Sequence, residues 1–254
     1  MKNIITLISF TLICYVCLAQ GNENKLSKVP LKGKIKEVID HYFENIEKVD
    51  TLKPHQKEIS RFDTTGNEIE EVFCDTDRVM VSIFRYNKNA ENTEIVVYDT
   101  SKTDTMKSIL KYNDKGYVIE KEDLVTSNTV LQIESGYKYN NMGQQVEIDL
   151  YYKNKPEDTT SKVYFKYDDK GNRVEKDVFL AKFGLFGTNI YRYDNQGHEI
   201  YSAWYNGAGR LSDEIKSEYS DFDSKGNWTM KTLIENVPGD PTKKTIVKRV
   251  IIYY

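Results

Sequence analysis

Tyr167-Asp168-Asp169-Lys170-Gly171-Asn172 is the stretch whose reading decides the fold. Each residue has a mechanical reading. The aromatic ends a strand, and the aspartate that follows can hydrogen-bond back to the turn backbone. The glycine, four residues after the aromatic, suits the left-handed conformation that closes a type I turn with a bulge. Working outward, the same pattern recurs at Phe62–Asn67, Tyr112–Gly116, Tyr139–Gly143, Tyr193–Gly197 and Phe222–Asn227. A decayed copy, Tyr86-Asn87-Lys88-Asn89-Ala90, fills the one gap. With Ala90 standing in for glycine, the spacings are 24, 26, 27, 28, 26 and 29 residues. A fixed period of this length marks a tandem array of supersecondary units. Gly66, Gly116, Gly143, Gly171, Gly197 and Gly226 are its structural turn residues.

The strands between the turns alternate. Tyr137 and Tyr139, Phe165 and Tyr167, Tyr191 and Tyr193, Leu110 and Tyr112, and Phe84 and Tyr86 stand two apart and so share a face. A β-branched residue follows three positions after each of these six glycines: Ile69, Ile119, Val146, Val174, Ile200 and Thr229. A unit of about 26 residues holds two strands and two turns, the second turn being less regular. Candidates for it are 100–104, 154–158 and Asn206-Gly207-Ala208-Gly209. Seven units imply about fourteen antiparallel strands. The expected fold is all-β: a long antiparallel meander of tandem hairpins in one domain, with a strongly twisted, coiled or partly closed sheet, because flat open sheets of that size are unusual. That domain spans 29–254, with clear repeats from about 60 to 230. Residues 33–48 fit either a helical face or a strand, and the repeat context favours a bulged first strand. Thr245–Tyr254, β-branched and aromatic, reads as a closing strand that guards an edge.

The first nineteen residues read as a signal peptide: Lys2, an apolar run from Ile4 to Val16, and small residues at Cys17 and Ala19 before Gln20. The run is too short for a spanning helix, so the mature chain is not expected to be transmembrane. Lipidation at Cys17 is the less favoured alternative, because Cys14 and Val16 fit a lipobox poorly. Residues 20–28 read as a flexible arm. After cleavage Cys74 is the lone thiol, so no intramolecular disulfide forms. With Lys2 removed, 35 basic side chains face 39 acidic ones, interspersed, which argues against nucleic-acid binding.

A Tyr-Asp-x-x-Gly-Asn motif recurring every twenty-odd residues resembles the YD repeat of Rhs-like and teneurin-like proteins, and the resemblance runs from Phe62 to Thr229. The Leu31–Lys36 opening and the Gly226-Asn227-Trp228-Thr229 ending resemble small exported YD-repeat proteins of Gram-negative bacteria. The resemblance implies hairpins in a wrapped sheet and a periplasmic, outer-membrane-surface or secreted location. The core motif and toxic C-terminal domain of the large Rhs shells are not seen in this sequence, so a toxin-delivery role is not expected.

Catalytic signatures are lacking. His41, His55 and His198 stand in no metal-binding spacing, and His198 occupies a turn slot that reads as solvated. Cys74 reads as an inert, half-buried thiol, and the Asp168-Asp169 and Asp221/Asp223 groups lack the further ligands of a calcium loop. Neither a metal nor a cofactor is expected. The speculative binding residues are Trp204 and Trp228, the only tryptophans, as an aromatic platform on a sheet face. The function expected is a non-catalytic envelope or secreted module binding a glycan, a peptide or an envelope protein. The alternative is an enzyme acting on envelope polysaccharide through carboxylates on one sheet face.

Overall fold

The computed structural model describes residues 31–44, 53–76, 78–99, 105–125, 133–152 and 155–254. The signal peptide, the arm, Cys17 and the candidate turn at 100–104 lie outside these residues. The hairpin motif generates every second connection. In the turn after Tyr167, the Gly171 amide donates to Asp168 O at 3.0 Å and the Asp168 amide to Asn172 O at 2.9 Å. Asp168 Oδ1 accepts the amides of Lys170 and Asn172. The motif glycines have φ between +77° and +91°, and Ala90 adopts +60° in the decayed copy. A β-bulge falls at the motif aromatic in six hairpins, from Phe62 to Tyr193.

Seven such hairpins follow one another: β2 (Gln56–Phe62) with β3 (Glu68–Cys74), β4 (Val79–Tyr86) with β5 (Asn92–Asp99), β6 (Thr105–Tyr112) with β7 (Val118–Val125), β8 (Ile133–Tyr139) with β9 (Gln145–Tyr152), β10 (Lys155–Tyr167) with β11 (Arg173–Leu180), β12 (Gly184–Tyr193) with β13 (Glu199–Asn206), and β14 (Leu211–Phe222) with β15 (Trp228–Asn236). They are flanked by β1 (Ile35–Glu44) and β16 (Lys243–Tyr253).

The sixteen strands form a closed barrel, with each strand antiparallel to its chain neighbours and β1 paired to β16. This corrects the expectation of a coiled or partly closed sheet. The reason lies at the ends. Val38, Ile39, Ile246, Val247 and Ile251 would make two sticky open edges. Instead the two edges pair from Ile35↔Tyr253 to Glu44↔Thr245, with a bulge between Ile35 and Glu37. Residues 35–44 are therefore strand rather than helix. Asn206–Gly209 forms a turn as expected. In the 154–158 candidate, strand β10 already begins at Lys155, and the register shifts on either side of Thr159 absorb the irregularity around Pro156.

The pairing fixes which side chains enter the lumen. Following the register from β1, the inward rows carry Val38, Asp40 and Tyr42, then Val247, Arg249 and Ile251, and so on around the wall. From β5 to β11 the lumen carries two apolar clusters interleaved with buried polar side chains, among them Ser135, Ser161 and Lys176. Ile95, Val97, Leu110 and Val118 form one buried cluster, and Ile148, Leu150, Val163, Phe165 and Val178 another, with Tyr137 touching both. Within this half, Asp123 accepts from the Ser108 hydroxyl at 2.5 Å and lies 3.1 Å from Lys121 Nζ, all three fully buried. The outer rows carry charge. The basic residue before the motif aromatic bridges a glutamate nine positions later: Arg61–Glu70, Arg85–Glu94, Lys111–Glu120, Lys138–Glu147 and Lys166–Glu175. In the next copy Tyr201 replaces the glutamate, and the Arg192 guanidinium lies 4.8 Å from its ring centre.

Candidate functional site: the polar side of the lumen

The motif tyrosines are latches. Each inward ring reaches back one hairpin and donates its hydroxyl to the carbonyl of the first residue of the preceding outgoing strand. Tyr86 donates to Glu68 O at 2.8 Å, Tyr139 to Val118 O at 2.8 Å, Tyr167 to Gln145 O at 2.7 Å and Tyr193 to Arg173 O at 2.9 Å. Tyr112 makes the same bond to Asn92 O. Burial pushes the Tyr86 and Tyr139 hydroxyls up to about 12, so they remain donors at any physiological pH. The last hairpin departs from the pattern. Asp221 takes φ +50°, and Tyr219 rather than Phe222 supplies the latch, to Glu199 O at 3.0 Å.

That departure sits beside the β1–β16 seam, where the lumen changes character. Arg249 donates to both carboxylate oxygens of Asp40, at 2.7 and 2.6 Å. Its guanidinium lies 3.5 Å from the centre of the Trp228 ring. Tyr42 donates to Glu58 at 2.8 Å, and Gln56 holds the other oxygen of Glu58 at 3.1 Å. Lys231, on β15, lies largely buried between Tyr219 and Trp228, its ammonium 5.7 and 5.5 Å from their ring centres. It makes no hydrogen bond or salt bridge to a described residue. Burial, reinforced by Arg249, lowers its pKa. Burial raises the pKa of Glu199 despite the opposing charges of Lys231 and Arg173. Two opposite charges on neighbouring parts of the inner wall, each displaced toward its neutral form, mark a candidate binding site.

Trp228 is thus the aromatic floor under Arg249, within the lumen rather than on an outer sheet face. Trp204 lies elsewhere on the inner wall and does not join Trp228. Its ring passes over Gly187, where a Cβ would come within 2.1 Å of it, and packs against the Ile148–Val178 cluster. His198 holds its turn slot, but it is buried rather than solvated: its Nδ1 is 2.8 Å from Asp194, and its ring stacks on Tyr219 at 4.7 Å. Asn227 plays the matching part in the next turn, bonding both the amide and the carbonyl of Lys32 and so stapling the start of the barrel to its end. Cys74 is a free, half-buried thiol at the end of β3. No group of three or more His, Cys, Asp or Glu side chains able to hold a metal occurs among the described residues. The sequence reading missed Asp40, Glu199, Lys231 and Arg249. The signal for them was parity: Arg249 interrupts the inward apolar row of Val247 and Ile251, and Lys231 precedes Leu233 on the same face.

No protein-family model matches the chain, and no curated protein matches it in sequence. Among solved structures, the fold is similar to the crystal structure of a porin-like protein from Bacteroides uniformis, with a TM-score of 0.54 and 10% identity over 86% of this chain and 96% of that one. A TcdB2–TccC3 crystal structure aligns at a TM-score of 0.33 with 12% identity, over 81% of this chain and 13% of that chain. A LolA superfamily protein from Nitrosomonas europaea aligns at 0.30 with 7% identity, over 89% of each chain. The last two are too distant to carry an argument. The first supports the barrel and nothing finer.

Proposed function

We propose that the chain is an exported, water-soluble, non-catalytic barrel of the cell envelope or exterior that binds a small acidic saccharide in its lumen. The observation that carries this reading is the Lys231 ammonium, largely withdrawn from water beside the Tyr219 and Trp228 rings with no salt bridge to a described residue. A buried cation left in that state costs stability, and a ligand carboxylate would relieve the cost. Glu199 and Glu58 can accept sugar hydroxyls, and the Tyr219 and Trp228 rings supply apolar walls. Glu199 and Lys231 both retain some exposure, so solvent reaches the recess. The outer wall supports a soluble barrel rather than a membrane-spanning one. Lys138, Glu147, Asp149 and Lys162 form an ion-pair network across three neighbouring strands, where a lipid-facing barrel would need an apolar band. The outer carboxylates of that ladder are engaged by lysine and arginine, which favours binding over acid–base catalysis. The repeat signature and the tyrosine latches support kinship with YD-repeat proteins.

Calorimetric titration of residues 20–254 with N-acetylmuramic acid and D-glucuronate tests the reading, with hydrolysis of envelope glycan followed in parallel. Saturable binding that Lys231→Met abolishes, and that neutral N-acetylglucosamine does not reproduce, is expected. Equal heats for wild type and Lys231→Met would overturn it. Turnover would move the assignment to an enzyme.

A further inference from the structure

The far end of the barrel carries a different feature. Residues 181–186, Ala-Lys-Phe-Gly-Leu-Phe, are all exposed at the tip of the β11–β12 hairpin. Phe183 is 80% exposed, Phe186 48% and Leu185 38%. The tip is held in place: the Phe183 amide donates to Leu180 O at 3.0 Å, the Ala181 amide to Thr160 O at 3.1 Å, and Gly184 turns the chain with φ +72°. The β13–β14 turn lies alongside. Gly207 sits so close that a Cβ there would meet Leu185 O at 2.1 Å, and the main-chain carbonyl of exposed Arg210 closes that turn by accepting the Asn206 amide at 2.9 Å. Together the two turns present Phe183 and Leu185 beside the cations Lys182 and Arg210, while the half-exposed Phe186 ring leans on Trp204 at 6.0 Å. Neither contains an acidic residue.

We propose that this tip docks the protein on the interface of an anionic lipid bilayer. A protruding apolar hairpin offers no groove for a peptide, whereas it can sink among lipid headgroups. Aromatic rings settle at that depth, and flanking lysine and arginine pair with anionic headgroups. The charge balance points the same way, since both cations border the apolar tip in a chain that is acidic overall. The barrel would then stand on its second-turn end, with the tyrosine-latched mouth facing away from the membrane. This inference is independent of what the lumen binds.

Vesicle flotation of residues 20–254 is the test, using phosphatidylcholine alone and phosphatidylcholine mixed with phosphatidylglycerol. The protein is expected to float with the anionic vesicles. Phe183→Ser combined with Phe186→Ser, and separately Lys182→Glu combined with Arg210→Glu, should weaken that association by roughly tenfold or more. Phe183→Ser alone, at the most exposed position, guards against a double variant that misfolds, and should leave the thermal midpoint unchanged while reducing flotation. Failure to float with either vesicle, or flotation indifferent to the serine variants, would overturn the proposal. So would a lipid-free, concentration-dependent dimer that the serine variants dissolve, because the tip would then be a self-association face.

Discussion

Removing a single latch hydroxyl probes how the hairpins are joined. In Tyr193→Phe the ring remains, and Arg173 O loses a donor at 2.9 Å. The carbonyl sits where the bulge interrupts the ladder, at the foot of a strand whose first side chain is buried. Leaving a largely buried acceptor without its donor costs about 1–2 kcal/mol. For a chain of this size that corresponds to about 2–4 °C in the thermal midpoint per kcal/mol. Tyr86→Phe removes the equivalent bond on β4, far around the wall, so the double variant should lose about the sum of the two. Tyr164→Phe is the control. That ring points outward and meets Phe179 edge-on at 5.5 Å. Urea denaturation followed by tryptophan fluorescence reads all four proteins. If Tyr193→Phe and Tyr86→Phe matched Tyr164→Phe to within a few tenths of a kcal/mol, the latches would not hold the hairpins together.

Three other outcomes follow. Gly171→Val places a β-branched residue at φ +86° and should destabilise by more than about 1 kcal/mol, measured as a lower denaturation midpoint. Stability should fall in acid: burial alone would raise Asp63 and Asp223, but turn amides and side-chain donors outweigh it and hold both at about 2. A depressed carboxyl stabilises the fold above its unfolded pKa and loses that contribution as pH falls toward 2. A midpoint-against-pH curve should therefore decline below about pH 4, less steeply in Asp63→Asn. Lys231→Met, which replaces a desolvated ammonium by an apolar chain, should raise the unfolding free energy at neutral pH by about 1 kcal/mol even as it removes binding, and a lowered value would mean that the ammonium is well satisfied in the empty barrel.

The hairpins were legible because their chemistry is local. Glycine four after an aromatic, with Asp or Asn between, determines turn and bulge within six residues. What joins one hairpin to the next spans twenty or more residues, so Tyr167 read as an apolar ring when it is also a donor to Gln145 O. The pairing of Lys166 with Glu175 was hidden because its nine-residue spacing follows from a bulge that alternation alone does not reveal. His198 looked solvated because its burying partner, Tyr219, belongs to the next unit. Closure depends on β1 and β16, whose paired residues Asp40 and Arg249 are 209 positions apart. The luminal recess is a product of that closure. Trp228 was singled out as one of the only two tryptophans, but the Arg249 cation above it is anchored by Asp40 only once the ends meet.

The closed wall is therefore the claim on which the lumen and its site depend, and amide hydrogen exchange across the β1–β16 seam tests it most directly. The paired amides of residues 37–43 and 245–251 are predicted to exchange as slowly as those of β10 and β11 in the middle of the array, with Asp40→Ala loosening both strands together. Rapid exchange along either strand, at the rate of an unpaired edge, would contradict the barrel and part Asp40 from Arg249.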